Sequence, residues 1–108
     1  MVLHISMIQS AFLNQCSATC YSMAVNHCLQ VGGKHVEPEH FRLMLECAKI
    51  CETSAHLQIS GSRFCAQICS LCAQVCEACA EDCARIGDMD ECVEACRRCA
   101  ASCRAMAA

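Results

Sequence analysis

Polar and apolar positions recur every three or four residues along most of the chain, which is the period of an amphipathic helix. The pattern is clearest between residues 64 and 83, where a polar stripe and an apolar stripe follow different faces. The polar stripe holds Gln67, Ser70, Gln74, Glu77 and Glu81, and the apolar stripe holds Phe64, Ile68, Leu71 and Val75. This segment therefore predicts a helix with one wet face and one packed face.

Turn-forming residues divide the first half of the chain into two helices. A first helix starts near Leu3 and ends at Gly32 and Gly33, because glycine readily adopts the left-handed conformation that closes a helix. Pro38 suits the first turn of a second helix, where its missing N–H is not needed. The first 60 residues therefore predict a helical hairpin.

The second half of the chain repeats this organisation. Ser60, Gly61 and Ser62 separate the second helix from a third, which Gly87 ends. A fourth helix runs to about Met106, and Asp88 with Glu91 has the spacing of a capping box at its start. Four helices with short connections predict an all-α fold, in which residues 1–108 form one domain, an antiparallel up-down-up-down four-helix bundle.

Cysteines follow the same helical spacing. Between Cys65 and Cys83 the intervals alternate between four and three residues. Neighbours at this spacing have Cβ atoms about 5–6 Å apart, whereas a disulfide needs about 3.5–4.5 Å. The count of 15 cysteines is also odd. We therefore expect reduced thiols that line the core, and not a disulfide scaffold.

This register extends through all four helices, and histidine or methionine continues it where cysteine stops. The first helix contributes Cys16, Cys20, Met23 and His27, with Cys28 alongside, and the second contributes His40, Met44, Cys47 and Cys51. The third contributes Cys65, Cys69, Cys72, Cys76, Cys79 and Cys83, and the fourth contributes Cys92, Cys96, Cys99 and Cys103. The pattern indicates a tube of thiols through the bundle.

The two ends of this tube should differ. Antiparallel helices would gather a His/Met-containing mouth at one end, while Phe12, Leu13 and Phe64 would close the opposite end by apolar packing. The mouth would comprise Met23, His27, Cys28, His40, Met44, Cys83, Met89 and Cys92, with His35 in the nearby loop. His4 and His56 fall outside the register and should be exposed.

Two interpretations of these side chains compete. A buried cysteine can serve as a small hydrophobe, and methionine packs well in irregular cores, so Met23 and Met44 could pack or bind. A continuous seam of small thiols, however, leaves space that larger apolar residues would normally fill. We therefore expect a soft metal inside the bundle.

Charge favours Cu(I) over zinc as that metal. A zinc ion bound by four thiolates leaves a buried site negative, whereas Cu(I) tolerates bridging sulfurs and can approach one ion per thiolate in a neutral core. The helical setting lacks the loops of iron–sulfur sites and the turns of zinc knuckles. Zinc or generic soft-metal buffering, as in metallothioneins, stays open as the alternative.

Composition and charge limit the classes of molecule that we expect the protein to bind. A net charge of −3 without a basic stripe, together with 4% aromatic residues, argues against nucleic acid. The sequence carries no recognisable export signal and no stretch apolar enough to span a bilayer, so we expect a cytoplasmic protein that does not contact membranes. No cysteine stands apart as an activated thiol, and the ExxH motif ending at His40 occurs only once, so we expect no enzyme activity.

The cysteine-lined four-helix pattern resembles the bacterial copper storage proteins, and the missing export signal resembles their cytosolic branch. The resemblance implies a homotetramer that stores many Cu(I) ions within each protomer. It assigns all 15 cysteines as storage ligands and His27 and His40 as loading ligands at a histidine-containing end. We expect copper to arrive from a small thiol or a copper chaperone and to pass from thiolate to thiolate along the tube.

Overall fold

The computed structural model describes residues 2–107, with side chains from residue 7 onward. Four long helices and no strand occur within this part of the chain. α1 spans residues 2–31 and has three segments, an α-helix at Val2–Ser22, a π-helix at Met23–Cys28 and an α-helical turn at Leu29–Val31. A 3-10 turn at Gly33–Val36 leads to α2 (Pro38–Ile59), which is followed by α3 (Cys65–Ile86) and α4 (Asp90–Ala107).

The helices pack side by side in chain order. α1 contacts α2, α2 contacts α3, α3 contacts α4, and α4 closes the ring against α1. The resulting bundle measures 45 × 19 × 18 Å. Helix bounds agree closely with the turn signals, so the predicted up-down-up-down four-helix bundle is confirmed. No helix within residues 2–107 is both long and apolar enough to cross a membrane.

Sulfur and small side chains fill the space between the helices. Fourteen of the 15 cysteines are buried, and Cys65 is partly exposed. The buried alanines lie beside them, and the largest fully buried side chains are Leu13, Met44, Met89 and His40. The core is therefore a column of thiols with few bulky hydrophobic groups, as the cysteine spacing predicted.

The turn between α2 and α3 has the geometry that its glycine requires. Gly61 has φ 67°, a left-handed conformation that costs glycine little. The N–H of Ser62 donates to the carbonyl of Leu57, and the N–H of Gly61 donates to that of Gln58. These two bonds form a Schellman motif, which satisfies the last carbonyls of α2.

The predicted capping box at the start of α4 is wrong. The first helical bond of α4 runs from the N–H of Val93 to the carbonyl of Met89, so Met89 and not Asp88 occupies the N-cap position. Asp88 has φ 55° and belongs to the turn that Gly87 begins. Its carboxylate lies 3.5 Å from Nε2 of His27. The spacing of Asp88 and Glu91 was misleading because the left-handed conformation of Asp88 places this residue in the turn, outside the helix that follows.

The expected apolar closure of one end is also wrong for two of its three residues. Leu13 is fully buried, but Phe12 is 38% exposed and Phe64 is 52% exposed. The guanidinium of Arg63 stacks over the ring of Phe64, 4.8 Å from its centre. On α3, Leu71 is 47% exposed as well, so the predicted apolar stripe covers the outside of the thiol column only in part.

The π-helix changes the register of α1. Up to Cys20 the buried positions follow the predicted spacing, but beyond it Ala24 and Cys28 enter the core instead of Met23 and His27. A π-helix has i to i+5 hydrogen bonds and therefore a wider turn than an α-helix, which suits buried side chains four residues apart. Met23 and His27, which the sequence register placed in the core, consequently lie at its margin. The residues that follow them, Ala24 and Cys28, take their places in the core.

Candidate metal centre

Thiols from three helices form a compact set at the middle of the column. The Sγ atoms of Cys16, Cys20, Cys47 and Cys96 lie within 4.8 Å of one another, and all four residues are buried. The shortest separation, between Cys20 and Cys96, is 3.5 Å. Because a metal–thiolate bond is about 2.3 Å long, one ion can bridge sulfur atoms up to about 4.6 Å apart. This set is therefore dense enough to share metal ions.

Two further sets continue the column without a break. One joins Cys16, Cys51, Cys76 and Cys99, and the other joins Cys72, Cys99 and Cys103. Cys51 contacts three of these sulfurs, with Sγ–Sγ distances of 3.5 Å to Cys76, 3.6 Å to Cys99 and 3.7 Å to Cys72. Since Cys16 and Cys99 each belong to two sets, the sets are linked clusters and not separate sites.

Thiols nearer the mouth extend the column in the other direction. Cys79 lies 3.9 Å from Cys83 along α3. Cys92 is buried at the start of α4, and its Sγ lies 3.9 Å from the carbonyl oxygen of Thr19. These three thiols therefore connect the central sets with the end of the bundle that carries the histidines.

The protonation of these thiols depends on their neighbours. Burial, followed by the charge of Cys83, raises the pKa of Cys28 to about 11. In the central set, hydrogen bonds from Cys20, Cys47 and other thiols lower the pKa of Cys16. A thiolate within the column is therefore stabilised by hydrogen bonds from adjacent S–H groups. A metal ion that binds these sulfurs takes the place of the thiol protons, so binding releases protons.

Four of the residues expected at the mouth lie together in a buried cluster. Cys28 lies at its centre, with Sγ 3.7 Å from Sδ of Met44, 3.8 Å from Sδ of Met89 and 4.0 Å from Nε2 of His40. We call these four residues the mouth cluster. Thiol, thioether and imidazole are the soft and borderline ligands that suit Cu(I), so the arrangement can bind a soft ion just above the thiol column.

A carboxylate that the sequence interpretation missed orients the imidazole of this cluster. Nδ1 of His40 lies 2.7 Å from Oδ2 of Asp82, so Nδ1–H donates to the carboxylate and Nε2 is left facing Cys28. Arg85 donates to the other oxygen of Asp82 at 3.0 Å and contacts Glu37 at 3.3 Å. Burial works to raise the pKa of Asp82, but hydrogen bonds from His40 and Arg85 outweigh it and lower that pKa.

Two other histidines lie at the rim of the mouth. His27 is 27% exposed, and its ring meets that of His35 edge to face with centroids 5.2 Å apart. His35 is buried, and its Nε2 has no hydrogen-bond partner among the described residues. Met23 packs partly buried against the core. The structure thus puts His35 beside His27, as expected.

The opposite end of the column is polar, which the sequence interpretation did not anticipate. Nε2 of Gln58 donates to Sγ of Cys69 at 3.2 Å, and Cys69 lies 3.9 Å from Cys65. Ser54, one turn before Gln58, is fully buried. We call Ser54, Gln58, Cys65 and Cys69 the distal cluster. The missed signal was the spacing itself, because Ser54 and Gln58 continue the register of Cys47 and Cys51 toward this end.

A family assignment agrees with this geometry. The sequence model described as Csp, copper storage protein, matches residues 5–108. The chain belongs to the copper storage protein family. The family predicted from the cysteine pattern is therefore confirmed. Among curated proteins, none matches the chain.

Solved structures of similar proteins have the same fold. The crystal structure of the Nmul_A1745 protein from Nitrosospira multiformis is 49% identical, with a TM-score of 0.92 over 96% of this chain and 95% of that one. Cu(I)-bound copper storage protein BsCsp3 is 34% identical, with a TM-score of 0.88 over 96% of this chain and 99% of that one. Apo copper storage protein 3 from Bacillus subtilis is 34% identical, with a TM-score of 0.79 over 95% and 99%.

For this copper storage protein, one of the two off-register histidines has a described side chain. His56 is exposed, as predicted, and His4 lies outside the described side chains. The position of a thiol in the column does not by itself identify it as a ligand, so the ligand assignments made from the sequence stay predictions.

Proposed function

We propose that the protein stores many Cu(I) ions inside its bundle, with the 15 cysteines as storage ligands. The observation that carries this proposal is the overlap of the thiol sets through Cys16 and Cys99. A column of linked sets suits an ion that shares sulfurs with its neighbours. Membership of the copper storage family and the similarity to a Cu(I)-bound relative support the choice of metal.

Charge supports Cu(I) over zinc. Zinc would need four thiolates for each ion and would leave buried negative charge, which is costly in a core made of sulfur and alanine. Cu(I) can bind bridging thiolates at a ratio that brings the core toward neutrality. Cys16 and Cys99 each belong to two sets, which favours an ion that binds bridging thiolates throughout the column, as Cu(I) does.

Loading would begin at the His/Met end. Copper carried by a small thiol or a copper chaperone would exchange onto His27 and Met23 at the rim and then onto His40, Met44 and Cys28. From there it would move by ligand exchange through Cys83 and Cys79 to the central sets. Each step replaces one soft ligand by another, so no hydrated ion crosses the core.

Storage, and not catalysis, is the proposed role, with residues 1–108 acting as one metal-storage domain. Fifteen reduced thiols need a reducing compartment, which supports a cytosolic location. Exposed apolar side chains such as Tyr21, Ile59 and Leu71 support the assembly of a homotetramer. Light scattering of the purified protein tests that assembly.

An anaerobic titration of the reduced apoprotein with Cu(I) tests the storage function. Thiolate-to-copper charge-transfer absorbance and a weak chromogenic Cu(I) chelator report bound and free metal. We expect tight uptake that approaches one copper per cysteine and is unaffected by competing zinc. Saturation after one or two ions would overturn storage, and displacement of copper by zinc would favour a zinc buffer.

Replacement of His27 and His40 by asparagine tests the loading route. We expect the initial rate of Cu(I) uptake to fall while the number of ions bound changes little. His56→Asn is the matched control, since His56 is exposed and outside the register. An uptake rate equal to that of the wild type would contradict loading at the histidine-containing end.

A further inference from the structure

Cys65 differs from every other cysteine of the chain. The other 14 are buried, whereas Cys65 is partly exposed at the first position of α3. Its Sγ lies 3.9 Å from that of Cys69, which is buried. An accessible thiol next to a buried one connects solvent with the sulfur column at the end farthest from the mouth cluster.

The distal cluster is polar and incompletely paired. Gln58 is 4% exposed, and while its Nε2 donates to Cys69, its Oε1 has no hydrogen-bond partner among the described residues. The hydroxyl of Ser54 is likewise buried without a partner. Unpaired buried oxygens are costly in a sealed apolar core. Their presence on the buried face of α2 at this end indicates an end that admits polar molecules.

Bulky apolar side chains near this end are only partly buried, apart from Leu13. Ile68 and Met106 pack partly buried against the core, and Phe12 and Phe64 are 38% and 52% exposed. The Cys65 thiol is partly exposed here, in contrast to the buried sulfur atoms of Cys28 and Met44 at the mouth.

We propose that the distal cluster is a second exchange site for Cu(I), at which a soft thiol acceptor removes copper from Cys65. This inference rests on the proposed storage function. In the exchange, a thiolate of the acceptor forms a bond to copper as the bond between copper and Sγ of Cys65 breaks. Copper stays Cu(I), and the released Cys65 thiolate takes a proton from water. Cys69 then supplies the next ion, and the Gln58 amide stabilises the Cys69 thiolate by donating to it.

The test compares copper release from loaded Cys65→Ser with release from loaded wild type. Glutathione is the acceptor probe, and an excess of chromogenic chelator reports the copper that leaves. We expect the release rate of Cys65→Ser to fall to about half or less, because exchange needs an accessible thiolate. Its capacity should fall by no more than the contribution of one thiol.

Cys103→Ser is the matched control. Cys103 belongs to a thiol set near the same end of the bundle but is buried. Its replacement also removes one storage thiol, so it shows how far the loss of one ligand alone changes release, and we expect Cys65→Ser to release copper more slowly than Cys103→Ser. Equal release rates for Cys65→Ser and wild type would overturn the proposal, as would equal slowing in both variants.

Labelling supplies a second measurement. Brief treatment of the native apoprotein with N-ethylmaleimide, followed by peptide mass spectrometry, should modify Cys65 before any other cysteine. Labelled protein should still load copper but release it slowly, whereas random labelling would contradict an accessible distal site. Failure of storage itself would appear separately, as a low copper capacity in the unmodified wild type.

Discussion

His40 has a defined partner at each ring nitrogen. Nδ1 is bound to Asp82 at 2.7 Å, and Nε2 faces Cys28 at 4.0 Å. A carboxylate that holds the far nitrogen fixes the tautomer and the ring orientation of a metal-binding imidazole. At the scale of single residues, Asp82 is therefore a positioning residue for the mouth cluster, although it does not face the metal path itself.

Replacement of Asp82 by leucine should free the His40 ring and weaken metal binding at the mouth. Loss of such a partner typically lowers metal affinity about 10-fold or more. We expect slower Cu(I) uptake and, by ¹⁵N NMR of the apoprotein, a loss of the Nδ1–H signature of His40.

Two control variants separate positioning from general damage. Asp82→Asn retains an oxygen that can accept from Nδ1–H, so it should preserve most of the wild-type uptake rate. Arg85→Gln removes the contacts to Asp82 and Glu37 but leaves the bond between Asp82 and His40. A tautomer signature unchanged in Asp82→Leu would refute the positioning role.

At the scale of elements, α1 differs most from its sequence pattern. The π-helix at Met23–Cys28 brings Ala24 and Cys28 into the core and leaves His27 at the rim. Such segments are frequent at functional sites. Here the segment lets a single helix place a thiol in the mouth cluster while the histidine next to it stays 27% exposed at the rim.

Among the side chains of α1 that are described, from residue 7 onward, Leu13 is the one bulky aliphatic group that is fully buried beside the thiol column. Leu13→Ala should lower the free energy of unfolding of the apoprotein by about 2–5 kcal/mol, because it removes packing and leaves a cavity. Leu71→Ala is the matched control, since Leu71 is 47% exposed and should change stability by about 0.5 kcal/mol or less. Denaturant unfolding followed by circular dichroism measures both. Equal losses in the two variants would show that Leu13 has no special role in packing.

At the scale of the whole molecule, the stability of the fold depends on pH through the buried thiol of Cys28. Burial raises the pKa of Cys28 from 9.0 to about 11, so the folded apoprotein keeps this proton to higher pH than the unfolded chain does. Between these values the unfolded state binds fewer protons, and stability therefore falls as the pH rises. Below pH 9 the contribution is fully present.

The free energy of unfolding of the apoprotein should therefore fall less steeply between pH 9 and 11 in Cys28→Ala than in the wild type. Denaturant titrations at a series of pH values measure this slope. Leu13→Ala serves as the control, because it should lower stability without changing the pH dependence. A slope in Cys28→Ala equal to that of the wild type would contradict the raised pKa of Cys28.

Local rules predicted much of the molecule. Gly32, Pro38, Gly61 and Gly87 mark the helix ends because their backbone preferences act within a few residues. The cysteine spacing predicted the thiol column because residues three and four apart share a helix face whatever surrounds the helix. The cysteine-lined helices resembled the copper storage family, and that membership is confirmed.

Predictions that needed contacts between helices were less successful. Asp82 and Gln58 looked like ordinary polar residues, since their importance depends on His40 and Cys69 in neighbouring helices. Phe12 and Phe64 looked like core residues because sequence alone does not reveal which way the end of a helix faces.

The sequence by itself determined four helices, their ends and a stripe of thiols on each, because these features depend on local backbone preferences and helical periodicity. Only the tertiary structure decided which thiols share a cluster, which histidine reaches Cys28 and which cysteine meets solvent. Those outcomes depend on how each helix is rotated about its axis against its neighbours. In α1 a single π-helical segment was enough to shift that rotation by one residue.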